Sequence, residues 1–306
     1  MKDVLKIGII GFDTSHVPAF IKILNDPTDK HHVPGGKVVA GFPSSSPDLE
    51  LSASRVDGFK KEAVEKWKIP MTGSIEELIE QVDAVLLESV DGRRHLAEAK
   101  PVIAAKKPVF IDKPLAANYR DAAAIINLAE KHRCPIFSSS SLRYDANMAA
   151  LRQDKEMGRI VACDAFGPSK REQAMPGLFW YGIHGIEILY SFMGTGCLSV
   201  TSTHTETCEV VTGVWKDRRI GTFRGILQGA GSYGATVFGE NKVHQATYNT
   251  EIPFYALLMK EIIAFFKTGI PPVPNAETLE IMAFIQAALV SENEKRTVYL
   301  DEISKS

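Results

Sequence analysis

Between Val4 and Ser138, short apolar and β-branched runs alternate with helix-length stretches. That alternation restricts this part of the chain to βαβ units around a parallel sheet. Val4–Ile10, Lys37–Gly41, Asp83–Leu87 and Val109–Ile111 read as strands, and Pro135–Ser138 is expected to close the set as a sixth strand. Helices are expected over Pro18–Leu24, Ser54–Trp67, Ile75–Gln81 and Tyr119–His132. Sheets of this kind bind ligands at the carboxyl ends of their strands, so the polar residues that follow each strand are the first candidates for function.

The texture changes near Leu142. A helix near Ala146–Met157 precedes a strand at Ile160–Phe166, and an aromatic helix over Phe179–Phe192 is expected to end in a left-handed glycine cap at Gly194. Leu198–Val214, Ile220–Gln228, Tyr233–Phe238 and Val243–Thr247 carry β character with turns at Asp217 and Gly239, which predicts a mostly antiparallel sheet. Helices at Tyr255–Thr268 and Ala276–Lys295 and a last strand at Thr297–Leu300 complete the chain. At about 150 residues per domain, 306 residues make two. The expected division is 1–142 for a doubly wound Rossmann domain and 143–306 for a second α/β domain with an open sheet, its last helix able to pack back on the first.

Thirty-five basic against 37 acidic residues give a net charge of -2, which disfavours nucleic acid or an anionic membrane as partner. The longest nearly apolar stretch, Ile281–Val290, is too short to span a bilayer, and the N-terminus reads as a first strand, so a cytoplasmic protein is expected. Cys134, Cys163, Cys197 and Cys208 are scattered without a metal-ligand spacing, and neither a disulfide framework nor a metal site is expected.

Three constellations carry chemistry. The first is the turn Gly8-Ile-Ile-Gly11-Phe12-Asp13-Thr14-Ser15-His16, where a strand meets a helix N-terminus in the arrangement that offers backbone N–H groups to a pyrophosphate. Asp13 and His16 stand where the fingerprint has its second and third glycines. A carboxylate facing a phosphate about 4 Å away costs on the order of 4 kcal/mol at an effective dielectric of 20. Asp13 therefore points away, or nucleotide binding is weak or absent, and the same residues could simply cap the helix. After the second strand, where NAD sites carry an acidic residue for the ribose, the chain reads Phe42-Pro-Ser44-Ser45-Ser46, which leans towards NADP.

The second constellation, Asp112-Lys113-Pro114, delivers a lysine at a strand end, its backbone restricted by the following proline. The third runs from Gly177 to Glu187. On a continuous helix Trp180, His184 and Glu187 share one face, so that His184 could transfer a proton, Glu187 orient it and Trp180 stack on a sugar ring.

Together with Asp83–Ser89 and the His95 that follows, these segments resemble the Gfo/Idh/MocA family, the group of glucose-fructose oxidoreductase and inositol dehydrogenase. The resemblance runs nearly the length of the chain. It implies a Rossmann domain, a C-terminal α/β domain whose open sheet forms homodimers or homotetramers, and a nicotinamide between Lys113 and His184. It further implies that Lys113 holds the substrate hydroxyl, that His184 is the general base, and that Gly11, Ser89, His95 and Asp112 lie along the cofactor. Arg143 and Tyr144 fall where the family reaches substrate.

The departures are Asp13 and His16 in the turn, and Trp180 where the family's dehydrogenases commonly carry an aspartate. The expected function is NAD(P)-dependent hydride transfer to or from a secondary alcohol of a sugar, polyol or derivative. The alternatives are a non-catalytic sugar or nucleotide binder on the same fold, or an enzyme that retains its nucleotide and performs redox-neutral elimination or glycoside cleavage.

Overall fold

The computed structural model describes residues 4–305. In chain order the elements are β1 (Leu5–Ile10), α1 (His16–Asn25), β2 (Gly36–Phe42), α2 (Glu50–Ala53), α3 (Val56–Glu65), α4 (Ile75–Gln81), β3 (Ala84–Leu87), α5 (His95–Ala104), β4 (Val109–Ile111), α6 (Tyr119–His132) and β5 (Ile136–Phe137). There follow α7 (Ala146–Gln153), β6 (Ile160–Pro168), α8 (Gly182–Met193), β7 (Cys197–His204), β8 (Cys208–Trp215), β9 (Ile220–Ile226), β10 (Gly234–Gly239) and β11 (Val243–Thr247). The last are α9 (Phe254–Thr268), α10 (Asn275–Glu294), β12 (Val298–Tyr299) and α11 (Leu300–Lys305). The chain forms two compact units, the first of residues 1–139 and 255–275, the second of 140–254 and 276–306.

The first unit holds a parallel sheet in the order β2-β1-β3-β4-β5. It has five strands, not six: Ile136–Phe137 is the fifth and last. The order in which strands are added reverses between β1 and β3, the switch point beside which such sheets take their ligands. The strands are short and mostly apolar because helices cover both faces; β3 and β4 are apolar and buried at every position, while β1 and β2 each expose one lysine near their start.

Local chemistry sets the helix ends. Ser74 accepts the Glu77 N–H at 3.1 Å while Glu77 reaches back to the Gly73 N–H at 2.7 Å, a reciprocal cap for α4. Asn118 caps α6 through the Asp121 N–H. The helix expected over Ser54–Trp67 is α3, Val56–Glu65, and a separate short helix α2 precedes it, divided from it where the Arg55 N–H bonds the Ser52 carbonyl in a tighter turn. The returning helix α9 belongs to this unit: Phe265 meets Phe137 at 5.6 Å between ring centroids and Tyr255 lies edge-on to His16 at 4.7 Å.

The second unit is a seven-stranded sheet, β11-β10-β6-β9-β8-β7-β12, with only β6 and β9 parallel. Helix α8 packs on it so closely that a Cβ at Gly185 would lie 2.2 Å from the Phe223 ring on β9. The stretch of β character over Leu198–Val214 forms a hairpin, β7 and β8, turned where the Cys208 N–H bonds Thr205 Oγ1. Gly194 ends α8 with φ 64° and ψ -171°, a positive φ but not the left-handed helical cap expected. Among the described residues no helix is long and apolar enough to cross a membrane.

Candidate active site

The glycine turn sits at the carboxyl end of β1. Gly11 has φ +88°, and a Cβ there would come within 2.3 Å of the Ser89 backbone nitrogen, so this glycine lets the end of β3 close on the turn. Phe12, Asp13 and Thr14 are buried, and Ser15 is exposed at the N-terminus of α1 without capping it by its side chain. Asp13 is turned inward: its carboxylate accepts from Ser52 Oγ at 2.6 Å and from the Val90 N–H at 3.0 Å. Burial raises its pKa against the pull of those two hydrogen bonds.

The loop after β2 is stitched rather than open. Ser44 Oγ donates to Glu98 Oε1, Ser89 Oγ donates to Glu98 Oε2 at 2.7 Å, and Arg94 Nε lies 2.9 Å from Glu98 and 3.2 Å from Ser44. Ser46 binds Asp91, which Arg93 also holds while reaching Asp48. His95, fully buried, spans Ser89 O at 2.7 Å and Pro114 O at 2.9 Å, and so ties the end of β3 to the segment after β4.

That segment starts with Asp112 and Lys113, joined by a cis peptide bond to Pro114. Lys113 is half-buried. Beside it His16 Nδ1 lies 3.1 Å from Asp112 Oδ2 and 3.5 Å from Glu88 Oε2. Burial opposes a charge on His16, but the carboxylate of Asp112, with Tyr255 and Glu88, outweighs it and holds the imidazole pKa well above the ordinary value. Burial raises Glu88 to about 7, the His16 contact lowering it and the Asp112 charge adding to the rise. The spacing of the sequence gave no sign of this cluster, whose members are brought together only by the ends of β1, β3 and β4.

In the second unit His184 lies on α8, and its Nδ1 is 2.7 Å from Ser140 Oγ, the donor depending on the ring tautomer. Ser140 Oγ also accepts the Leu142 N–H at 3.2 Å. The His184 ring is flanked by Tyr233 at 5.5 Å and Tyr181 at 6.1 Å between centroids. Glu187, expected to orient His184, is bonded by Arg143 Nε at 3.0 Å, and Arg143 Nη2 reaches Glu277. Arg143 thus serves an internal ion-pair cluster. Tyr144 ends the short 3-10 turn Ser141–Tyr144.

Trp180 precedes α8, which starts at Gly182, so it does not share the helical face of His184 and Glu187. Its ring is buried against Tyr181. Ser140 was the residue the sequence hid, lying in the run Ser138–Ser141 that reads as loop.

The first unit is thus a doubly wound parallel sheet and the second a mixed sheet with helices. Residues 5–140 match the family described as an oxidoreductase family with an NAD-binding Rossmann fold. Over this stretch, 136 of the 306 residues, the chain is similar to the Gfo/Idh/MocA oxidoreductase family. The chain is 27% identical over 174 residues to YceM of Salmonella typhimurium, an oxidoreductase by name; the match takes in 54% of this chain and 49% of that protein, about half its length.

A probable dehydrogenase of Thermotoga maritima shares the fold with a TM-score of 0.81 at 21% identity, over 98% of this chain and 100% of its own. The scyllo-inositol dehydrogenase of Lactobacillus casei, solved with NAD(H) and scyllo-inositol, does so with a TM-score of 0.79 at 12% identity, over 97% and 99%. The turn fits a dinucleotide in one decisive respect: the Asp13 charge is taken up by Ser52 and Val90 rather than presented to a phosphate.

Proposed function

We propose that this protein is an NAD(P)-dependent oxidoreductase acting on a secondary alcohol of a sugar, polyol or sugar derivative. The observation that carries the reading is Lys113 at the carboxyl end of β4, in the same sheet whose β1 ends in the Gly11 turn, its segment tied to β3 through His95. A bound nicotinamide supplies the hydride acceptor or donor. In this reading Gly11 to His16 receive the pyrophosphate, and Ser89, His95 and Asp112 line the cofactor.

Lys113 donates to the substrate oxygen and stabilises negative charge there as the alcohol becomes a carbonyl. His184 takes the hydroxyl proton, with Ser140 fixing the imidazole plane. Trp180 is buried and Arg143 and Glu187 are bonded to one another, so within the second unit they support His184 structurally and Tyr144 is the remaining substrate-side candidate. Ser44 lies between Glu98 and Arg94. The carboxylate suits the free ribose hydroxyls of NAD and the guanidinium suits the 2′-phosphate of NADP, so titration with both nucleotides reads which charge governs.

The test is twofold. Heat-denatured protein should release a nicotinamide nucleotide identifiable by mass, or the protein should bind one added back. Lys113→Met should lower turnover by about 10²–10³-fold and leave nucleotide affinity largely intact. Failure of both nucleotides to bind at millimolar concentration overturns the proposal. Asp13 and His16 in the glycine turn favour a second reading, a non-catalytic sugar or nucleotide binder, and a single alcohol oxidised with dependence on His184 ends that one.

A further inference from the structure

We propose that His16, Glu88 and Asp112 form a binding site for one divalent transition-metal ion, of the Zn²⁺ or Mn²⁺ type, in the first unit. His16 opens α1, Glu88 follows β3 and Asp112 follows β4, so three neighbouring strand ends each deliver one side chain to the same point. One ligand atom from each residue lies within 4.8 Å of the other two, and all three side chains are buried.

The hydrogen bonding separates this cluster from the chain's other buried carboxylates. Glu98 accepts from Ser44, Ser89 and Arg94; Glu209 accepts from Ser169 and Arg171; Asp13 accepts from Ser52 and Val90. Glu88 has no exposed surface, yet neither of its oxygens accepts a hydrogen bond. His16 Nδ1 has carboxylate oxygens at 3.1 and 3.5 Å, but neither is aligned as a hydrogen bond. Buried polar atoms are nearly always paired, and a set that is close in distance but misaligned for proton sharing is what lone pairs directed at a common centre produce.

The spacing agrees. Two atoms each about 2.1 Å from one ion stand about 3.0 Å apart in octahedral and about 3.4 Å apart in tetrahedral coordination. The separations of 3.1 and 3.5 Å fall at those values. Two carboxylates with a neutral imidazole balance a divalent charge, and the mixed nitrogen and oxygen set suits Zn²⁺, Mn²⁺ or Fe²⁺ rather than Ca²⁺. Phe20 and Tyr255 pack against the imidazole at 5.4 and 4.7 Å and against each other at 5.8 Å, so the ring is preset. Three protein ligands leave coordination positions for a water or an oxygen of a bound molecule.

The inference does not rest on the proposed hydride transfer, and its readout is metal binding without turnover. Protein purified without a metal-affinity step is stripped with EDTA and titrated with Zn²⁺ and with Mn²⁺ by calorimetry and thermal unfolding. One equivalent of at least one ion should bind per chain and raise the unfolding midpoint. Glu88→Gln and Asp112→Asn, both near-isosteric, should each weaken binding by about 10–100-fold or more.

Absence of binding and of any midpoint shift with both ions overturns the proposal, whatever the variants do. So does binding that survives unchanged in both variants, which marks an adventitious surface site. A Glu88→Gln protein more stable than its parent, with no metal bound by either, assigns the cluster to proton sharing alone and also overturns it.

Discussion

In the second unit Glu187, almost wholly buried, meets the Arg143 guanidinium at 3.0 Å, and Glu209 is held by Ser169 and Arg171; in the first, Glu88 is as deeply buried and accepts no hydrogen bond. The two regions contain the same chemical group at the same depth. A carboxylate removed from water costs several kcal/mol unless donors or cations replace the lost solvation. The second unit meets that cost internally, which makes its buried charges part of the framework. The first meets it through the His16 imidazole, 3.5 Å from Glu88 and not aligned as a hydrogen bond, at the carboxyl ends of three adjacent strands, where doubly wound sheets take their ligands, and such thin compensation at that place marks function.

Removing one partner should therefore have opposite effects in the two units. Glu187→Ala removes one of the two carboxylates that hold the Arg143 guanidinium and should destabilise the protein in urea unfolding by up to about 3–5 kcal/mol, the cost of breaking a buried pair outright. Glu88→Gln in metal-free protein removes a carboxyl whose burial outweighs its His16 contact, and its unfolding midpoint should stay level or rise. Equal losses from both substitutions would erase the contrast.

Turnover sharpens it next. Lys113→Met should lower kcat by about 10²–10³-fold, the usual cost of one donor to a developing oxyanion. The measurement is steady-state oxidation with nucleotide binding followed separately by fluorescence. Ser140→Ala should cost about tenfold in kcat, one positioning hydrogen bond, with its pH profile displaced while the unfolding midpoint barely moves. A KM effect alone would assign Ser140 to substrate binding instead.

The smallest effect concerns Asp13, raised above 3.8 by burial in spite of Ser52 and Val90. The native carboxyl holds its proton more tightly than the unfolded chain does. Stability therefore falls as pH rises from 3.8 through the native value and then levels off. Asp13→Asn can keep both contacts and should abolish that slope, giving a slightly higher midpoint at neutral pH and none of the gain in acid. Parallel pH curves for the two proteins would show that the burial of Asp13 has no thermodynamic weight.

The parallel sheet was legible because its strands are short, apolar and separated by helical periodicity; β4 and α6 fall where the pattern sets them. The strand count went astray by one because the sheet ends at Ile136–Phe137. Lys113 and His184 could be picked out by residue type at a strand end and on a helix. Their partners could not. Ser140 meets His184 across 44 residues and Ser52 meets Asp13 across 39, contacts that only the folded topology creates. Trp180 misled because a shared face presumes one continuous helix, and the chain makes a 3-10 turn at Gly177–Phe179 before α8 starts.

The return of α9 to the first unit has a consequence for how the protein is made. Residues 255–275 complete a unit whose other residues are all synthesised by position 139. As the chain emerges, the first unit must wait for 115 residues of the second, 140 to 254, before the helix that bears Tyr255 and Phe265 arrives. Domain-by-domain folding during synthesis is thereby replaced by an interleaved order. A fragment stopping at residue 142 leaves Phe137 and His16 without the aromatic partners that α9 brings, so a stable fragment of the first unit has to be engineered with that helix grafted on.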